Sequence, residues 1–172
     1  MAGRLRLPWI AALPLALAAA AVQAAPVAPP SAPTGRVELL RSLTLTKLSD
    51  MDFGDLGVIG AGTAVINPVT DTMATTGGVL RLGGTPHAAQ FRGVASGNSV
   101  VNIRIPNRAV ALTRVGGTET ISLDNFTLDG QSKRAMAQAG VFTFKVGGTL
   151  RPTAGQVDGL YTGTFDVTIQ YP

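Results

Sequence analysis

The sequence has no cysteine, so neither a disulfide nor a catalytic thiol can form part of the protein. It has one histidine, His87, which follows Pro86 in a segment without regular patterning. A lone histidine in a loop is most often a solvated side chain. Residues 93–97 have the wrong spacing for the Gly-x-Ser-x-Gly turn of serine hydrolases. We therefore predict that the protein is not an enzyme and has no cofactor, and a hydrolase that depends on His87 is the weakest alternative.

Tryptophan and clustered positive charge are also scarce. The only tryptophan, Trp9, lies in the N-terminal apolar run, which excludes a sugar-binding face of stacked indoles from the rest of the chain. The formal net charge is +4, but the basic residues are scattered among strand-like segments and no nucleic-acid-binding motif accompanies them. We expect no nucleic acid partner.

The N-terminus has the pattern of a secretory signal peptide. Arg4 and Arg6 precede an apolar run at residues 9–22, and Val22-Gln23-Ala24 provides a cleavage site. We predict a signal peptide over residues 1–24 and an exported protein in the periplasm, at the cell surface or outside the cell. The apolar run is too short to span a bilayer, so we expect no transmembrane segment in the mature chain.

Composition divides the remaining chain into a leader and one domain. Residues 25–36 are rich in proline and alanine and predict a flexible leader. Residues 37–172 contain many short alternating runs bounded by Gly-Gly, Gly-Asn and Asp-Gly turns, which is typical of an all-β sandwich or barrel. Residues 133–139 form the only candidate helical turn. Gly147-Gly148 is compatible with either a hairpin turn or a bulge within one strand.

The clearest alternation in the chain lies at residues 159–171. Large apolar side chains share one parity and polar side chains share the other, which predicts a β-strand with one buried face. Because a shift of one residue would expose the whole apolar set, its register is strongly specified. The residues that we assign to this strand are Gly159, Tyr161, Phe165, Val167, Ile169 and Tyr171.

A second alternating run occupies residues 37–48, with Val37, Leu39, Leu43 and Leu45 on one face and Arg41 interrupting it. This run either completes the sheet of its own domain or fills the sheet of a neighbour. Asp50, Asp52 and Asp55 follow it closely, but Gly54 occupies a ligand position of the helix-loop-helix calcium pattern. We therefore predict no metal site, and interpret these aspartates as flanking a strand that buries Met51 and Phe53.

A set of short motifs occurs in a fixed order along residues 37–172. They are Leu43-Thr44-Leu45, Met51-Asp52-Phe53-Gly54, Gly62-Thr63-Ala64-Val65, Phe91-Arg92-Gly93, Ile103-Arg104-Ile105-Pro106 and Val146-Gly147-Gly148-Thr149-Leu150. With the closing strand, this ordered set resembles a secreted bacterial family, the domain of unknown function DUF4402. The resemblance brings no established activity with it.

The DUF4402 family looks related to spore-coat-like surface proteins and to the subunits of chaperone-usher fimbriae, and the closing strand resembles the last strand of those subunits. Those subunits, which are pilin-like sandwiches, end with a penultimate aromatic residue, alternating apolar residues before it and a glycine fourteenth from the C-terminus. Tyr171 is penultimate here, Phe165, Val167 and Ile169 alternate, and Gly159 is fourteenth from the end. The missing disulfide and the terminal Pro172 depart from that pattern.

The resemblance implies an immunoglobulin-like, pilin-like antiparallel β-sandwich without a disulfide. It also implies a structural or adhesive surface protein, a fimbrial or coat-type subunit that assembles by β-strand complementation. Its partners would be copies of itself or related subunits, with a periplasmic chaperone, and residues 37–48 would be the candidate donor strand. The alternative is an autonomous monomeric binding module for an envelope or polysaccharide ligand.

Overall fold

The computed structural model describes residues 35–172. Contacts within the chain divide it into two units, Met1–Val37 and Glu38–Pro172. The expected signal peptide lies outside the described residues, as does the expected leader apart from Gly35 and Arg36, which have no regular secondary structure. No helix in the described part of the chain has the length and hydropathy that crossing a membrane requires.

Residues 38–172 fold into strands joined by turns. The strands are β1 (Thr44–Ser49), β2 (Asp55–Asn67), β3 (Thr72–Gly83), β4 (Ala89–Val94), β5 (Val100–Arg104), β6 (Val110–Arg114), β7 (Thr120–Leu128), β8 (Lys133–Ala135), β9 (Val141–Arg151), β10 (Tyr161–Thr162) and β11 (Thr168–Gln170).

The strands form two sheets in which every pairing is antiparallel. The larger sheet has eight strands, in the order β1-β4-β9-β7-β6-β10, with β2 attached to β9 and β3 attached to β2. The smaller sheet has three strands in the order β11-β5-β8. This arrangement confirms the predicted all-β, immunoglobulin-like antiparallel sandwich, and the sequence has no cysteine with which to cross-link it.

Strand β9 organises the larger sheet because it pairs with three other strands. Along one edge it pairs with β4 up to Val146 and then with β2 at Thr149 and Leu150. Its other edge pairs with β7. The change of neighbour from β4 to β2 falls at Gly147-Gly148, so this pair of glycines lies inside one strand rather than in a turn.

Gly147 fits this crossing because it has no side chain. A Cβ atom there would lie 2.2 Å from the carbonyl oxygen of Ile66 and 2.6 Å from the Cδ atom of Pro68. Cβ atoms do not approach other atoms this closely in real proteins. A residue larger than glycine at position 147 would therefore prevent β2 from pairing with β9. Two residues of β7 lie opposite the single residue Gly148 of β9, and this irregularity is a β-bulge.

The core lies between the two sheets and is formed by the side chains on the inward-facing side of each strand. Phe144 on β9 is 1% exposed and stacks on Phe91 of β4, with 5.3 Å between ring centroids. Ile103 of the smaller sheet packs into the same cluster. A second buried cluster, under β7 and the end of β9, consists of Ala64, Val79, Ile121, Leu123 and Leu150.

The sequence prediction of a helical turn is wrong. The candidate helical turn at residues 133–139 begins instead with β8, whose three residues pair antiparallel with β5. Arg134 explains why a short strand suffices there. Its guanidinium donates to Asp129 and lies 5.8 Å from the centre of the Phe144 ring, so it attaches β8 to the rest of the domain.

Candidate functional site

The C-terminal segment, residues 159–171, crosses from one sheet to the other. Tyr161 and Thr162 pair with β6 in the larger sheet, whereas residues 168–170 pair with β5 in the smaller sheet. The segment is therefore not the single continuous strand that its alternation predicts. The predicted facing is nevertheless correct, because the large apolar side chains of this run are half-buried and the polar ones between them are exposed.

Phe165 occupies the crossing between the two short strands. Its ring lies 5.1 Å from the ring of Phe126, and it packs against both large core clusters. Val167 and Ile169 pack against the cluster around Phe144. Tyr161 packs against the cluster of Leu123 and Leu150, and Tyr171 packs against the cluster of Ala95, Val101 and Met136, so every predicted strand residue except Gly159 contributes to the core. Residues 163–167 pair with no strand of the described chain.

A groove of about 1050 Å³ lies beside this segment. Most of its lining comes from two stretches, residues 50–58 and residues 156–165, which we call its two borders. The buried side chains of Ile121, Leu123 and Leu150 line its interior. The groove therefore gives access to one of the two main apolar clusters of the domain.

Both borders of the groove have strand edges without a partner. The first part of β2, from Asp55 to Val58, pairs only with β3, and β2 reaches β9 only from Ala64 onward. Strand β10 pairs with β6 and with no other strand of the described chain. Unpaired strand edges beside an apolar groove can accept an extended peptide through main-chain hydrogen bonds.

Gly159 begins the border segment in a conformation that favours glycine, with φ at +147°. A Cβ atom there would lie 2.8 Å from the side chain of Arg114. Tyr161, two residues later, donates its hydroxyl to the carbonyl of Val157 at 2.6 Å and accepts from Gln156 at 2.8 Å. These contacts fix where the segment enters the groove.

Arg114 is held by Glu119 across the β6–β7 turn, with 2.8 Å between Nε and Oε2. This hydrogen bond is the main cause that lowers the pKa of Glu119 from 4.5 to about 2. Because the folded pKa lies below the unfolded one, the stabilisation is present above about pH 4.5 and is lost as the pH falls towards 2. We expect NMR of the Glu119 carboxyl carbon to give a midpoint near pH 2, and a higher midpoint in Arg114→Gln that stays below 4.5, because the backbone hydrogen bonds of Glu119 and Thr118 remain. An unchanged midpoint in that variant would contradict the assignment.

Tyr171, the penultimate residue, attaches the C-terminal segment to the backbone that precedes β1. Its hydroxyl donates to the carbonyl of Arg41 at 2.7 Å and accepts from the amide of Ser96 at 2.8 Å. The amide of Arg41 in turn donates to the hydroxyl oxygen of Ser96. The backbone at Arg41 is therefore fixed against its own domain.

The four residues of the candidate donor strand are divided by this attachment. Leu43 packs against the cluster of Ala95, Val101 and Met136, and Leu45 lies on β1, which pairs with β4 of the same chain. Val37 and Leu39 precede the attachment and are 81% and 89% exposed. The described structure thus places Leu43 and Leu45 in their own domain and leaves Val37 and Leu39 uncovered.

Three of the other residues weighed from the sequence, Asp50, Asp52 and His87, have local partners. Asp52 accepts from the amide of Gly54, and Asp50 pairs with Lys47. His87 is half-buried, and its backbone pairs with that of Asp52 through two hydrogen bonds of 2.9 and 3.0 Å. In residues 35–172 no three side chains of metal-binding type lie together.

The sequence predicts that Met51 and Phe53 lie inward, and both are half-buried, but it places them in a strand, whereas only an isolated bridge at Asp52 forms there. It predicts no groove beside residues 50–58. Met51, Phe53 and Leu56 pack against the cluster inside the groove, although they belong to no single strand. The signal available was weak, since Met51 and Phe53 share a parity and Leu56 does not. The register of β2 against β3 sets the position of Leu56, and alternation alone does not give that register.

The fold and the groove define a class: an antiparallel β-sandwich that leaves an apolar groove open beside its C-terminal segment. Within that class, the chain belongs to the family described as Domain of unknown function (DUF4402), whose model matches residues 43–171. The match confirms the family indicated by the ordered sequence motifs. No curated protein and no solved structure matches the chain.

Proposed function

We propose that the protein is an exported, non-enzymatic structural or adhesive surface protein, a fimbrial or coat-type subunit. In this proposal it assembles by β-strand complementation, with an extended segment of a neighbouring subunit occupying the groove. The observation that carries the proposal is the pair of unpaired strand edges, on β2 and β10, that border one apolar groove. The pilin-like pattern of residues 159–171 supports it, because that segment forms one of the two borders.

The donor that fits best within the described chain is the exposed part of residues 37–48. Val37 and Leu39 have the alternate spacing that a donor needs to place side chains into a groove, and both are exposed. Burying two such side chains contributes about 3 to 6 kcal/mol before the costs of association are subtracted. Part of the contact must then come from main-chain hydrogen bonds or from residues before Val37.

A matched pair of variants tests this proposal. Leu56 is half-buried and lines the groove, whereas Leu80 lies on the neighbouring strand, is exposed and does not line it. We expect the wild-type chain to form oligomers that grow with concentration in sedimentation equilibrium. Leu56→Arg should reduce the oligomers at least tenfold, because a charge would be buried in the occupied groove. Leu80→Arg should leave them unchanged.

A second function is favoured by a different observation. Strand β1 pairs with β4 of its own chain from Thr44 onward, so the first strand already completes a sheet. An autonomous monomeric binding module for an envelope or polysaccharide ligand would have this arrangement. A sharp monomer at every concentration, unaffected by Leu56→Arg, would overturn self-assembly and support the binding module.

A further inference from the structure

A second cavity, of about 320 Å³, lies beyond the end of the groove. The connection between β5 and β6 forms one side of it and the crossing of the C-terminal segment forms the other. Thr164 and Phe165 line both the cavity and the groove. The cavity is at the small end of the range for ligand pockets, a size that suits one sugar ring.

Two arginines line this cavity, Arg104 at the end of β5 and Arg108 in the connection. In the described part of the chain, neither forms an ion pair within 4.0 Å or a side-chain hydrogen bond, whereas Arg114, Arg134 and Arg151 each pair with a carboxylate. Each guanidinium has five donors in a planar fork that matches a carboxylate. The cavity therefore has free donors for an anionic group.

The other lining groups exclude a bare anion as the best ligand. Asp166 lines the same cavity and also has no ion-pair partner within residues 35–172. Its carboxylate repels an anionic group and accepts hydrogen bonds from hydroxyl groups, so it suits a ligand whose hydroxyls lie apart from its charge. Asn107 and Thr168 add further hydrogen-bonding groups, and Phe165 with Pro106 provides apolar surface. A ligand that satisfies the whole set has one carboxylate, several hydroxyls and an apolar ring face.

We propose that this cavity binds a carboxylated sugar residue, a hexuronic acid, as found in acidic polysaccharides. The carboxylate binds Arg104 and Arg108, the sugar hydroxyls donate to Asp166, and the ring lies against Pro106 and Phe165. Proteins can bind sugars by stacking them on tryptophan rings, but this chain has no tryptophan after Trp9. Recognition of the sugar through its charge is consistent with that composition. A ligand of about a dozen non-hydrogen atoms at ordinary efficiency binds with a dissociation constant on the order of 1 mM. The proposal stands independently of what occupies the groove.

NMR titration of the full chain tests the proposal with D-glucuronate, D-glucose and inorganic phosphate as separate probes. We expect glucuronate to shift the amide signals of residues 104–108 and 164–168, and to bind at least tenfold more tightly than glucose or phosphate. The double variant Arg104→Gln/Arg108→Gln should weaken glucuronate binding at least tenfold. The control is Arg92→Gln/Lys133→Gln, which removes the same charge at exposed positions outside the cavity and should bind as the wild type does.

Each other outcome overturns the proposal in a distinct way. Phosphate that binds as tightly as glucuronate would make the site one for bare anions. If glucose binds as tightly as glucuronate, the arginines do not contribute to recognition. Amide shifts confined to other residues would show that the cavity binds no acidic sugar. The same conclusion follows if glucuronate does not bind at concentrations up to about twenty times the expected dissociation constant.

Discussion

Replacing Phe144 by alanine is expected to lower the free energy of unfolding by about 3–5 kcal/mol, the largest effect of any single change considered for this protein. Phe144 lies on β9, which pairs with β2, β4 and β7. Its ring stacks on Phe91, and the ring of Phe142 lies 6.1 Å from it. The cavity left by the ring would be surrounded by paired strands that cannot collapse into it. Urea denaturation monitored by circular dichroism measures the change.

The adjacent residue provides the control for this prediction. Thr143 lies on the outer face of the same strand and is exposed, and its hydroxyl forms no hydrogen bond within the described residues, since Arg134 donates to its backbone carbonyl. Thr143→Ala should therefore change the free energy of unfolding by less than about 0.5 kcal/mol. If Phe144→Ala cost no more than this control, the core would not be organised around β9.

The sequence predicts most of the fold because alternation and turn residues are local signals. Among the short apolar runs bounded by turn residues, the sequence predicts strands at residues 120–128 and 141–150, and these become β7 and most of β9. Alternation states which side chains share a face, and that prediction is correct even in the irregular C-terminal segment. It does not state which strand lies alongside, because the partner depends on residues far away in sequence.

The C-terminal segment shows where this limit matters. Its alternation continues through the crossing at Phe165, since a chain that passes from one sheet to the other can keep the same side chains inward. Only the pairing of Tyr161 with Arg114 and of Ile169 with Ile103 shows that two sheets share the segment. The sequence therefore predicts the buried residues of this border correctly and its hydrogen bonding incorrectly.

The groove could not be predicted because it depends on an irregularity in the β2–β3 hairpin. The register of this hairpin shifts between Val58 and Gly62, where three residues of β2 oppose one residue of β3. Such a bulge bends both strands and increases their twist. The hairpin joins β9 only from Ala64 onward. The first part of β2 therefore pairs only with β3, which leaves one border of the groove open.

The first alternating run was ambiguous for a similar reason. Val37, Leu39, Leu43 and Leu45 form one pattern in the sequence, but the hydrogen bonds of Arg41 with Ser96 and Tyr171 divide it. Arg41 and Tyr171 lie 130 positions apart along the chain. A pattern of apolar residues contains no information about such an attachment, so both readings of the run were open.

The double variant Phe165→Ser/Val167→Ser is expected to abolish assembly. Both side chains are half-buried and pack against the core, so the change should lower the free energy of unfolding by about 2–4 kcal/mol. It should also remove the apolar anchor at the end of the groove, where Phe165 packs on Phe126. Oligomer mass by sedimentation equilibrium and stability by urea denaturation should be measured on the same samples.

The control must remove apolar surface without touching the groove. Ile59 and Val69 are 81% and 69% exposed and line neither cavity, so Ile59→Ser/Val69→Ser should keep both stability and assembly. The decisive condition is one in which the Phe165→Ser/Val167→Ser chain is still folded by circular dichroism. Loss of oligomers there would place Phe165 and Val167 at the assembly surface. Oligomers that persist in the folded variant would show that the C-terminal segment is a core element of a sandwich that associates through another surface.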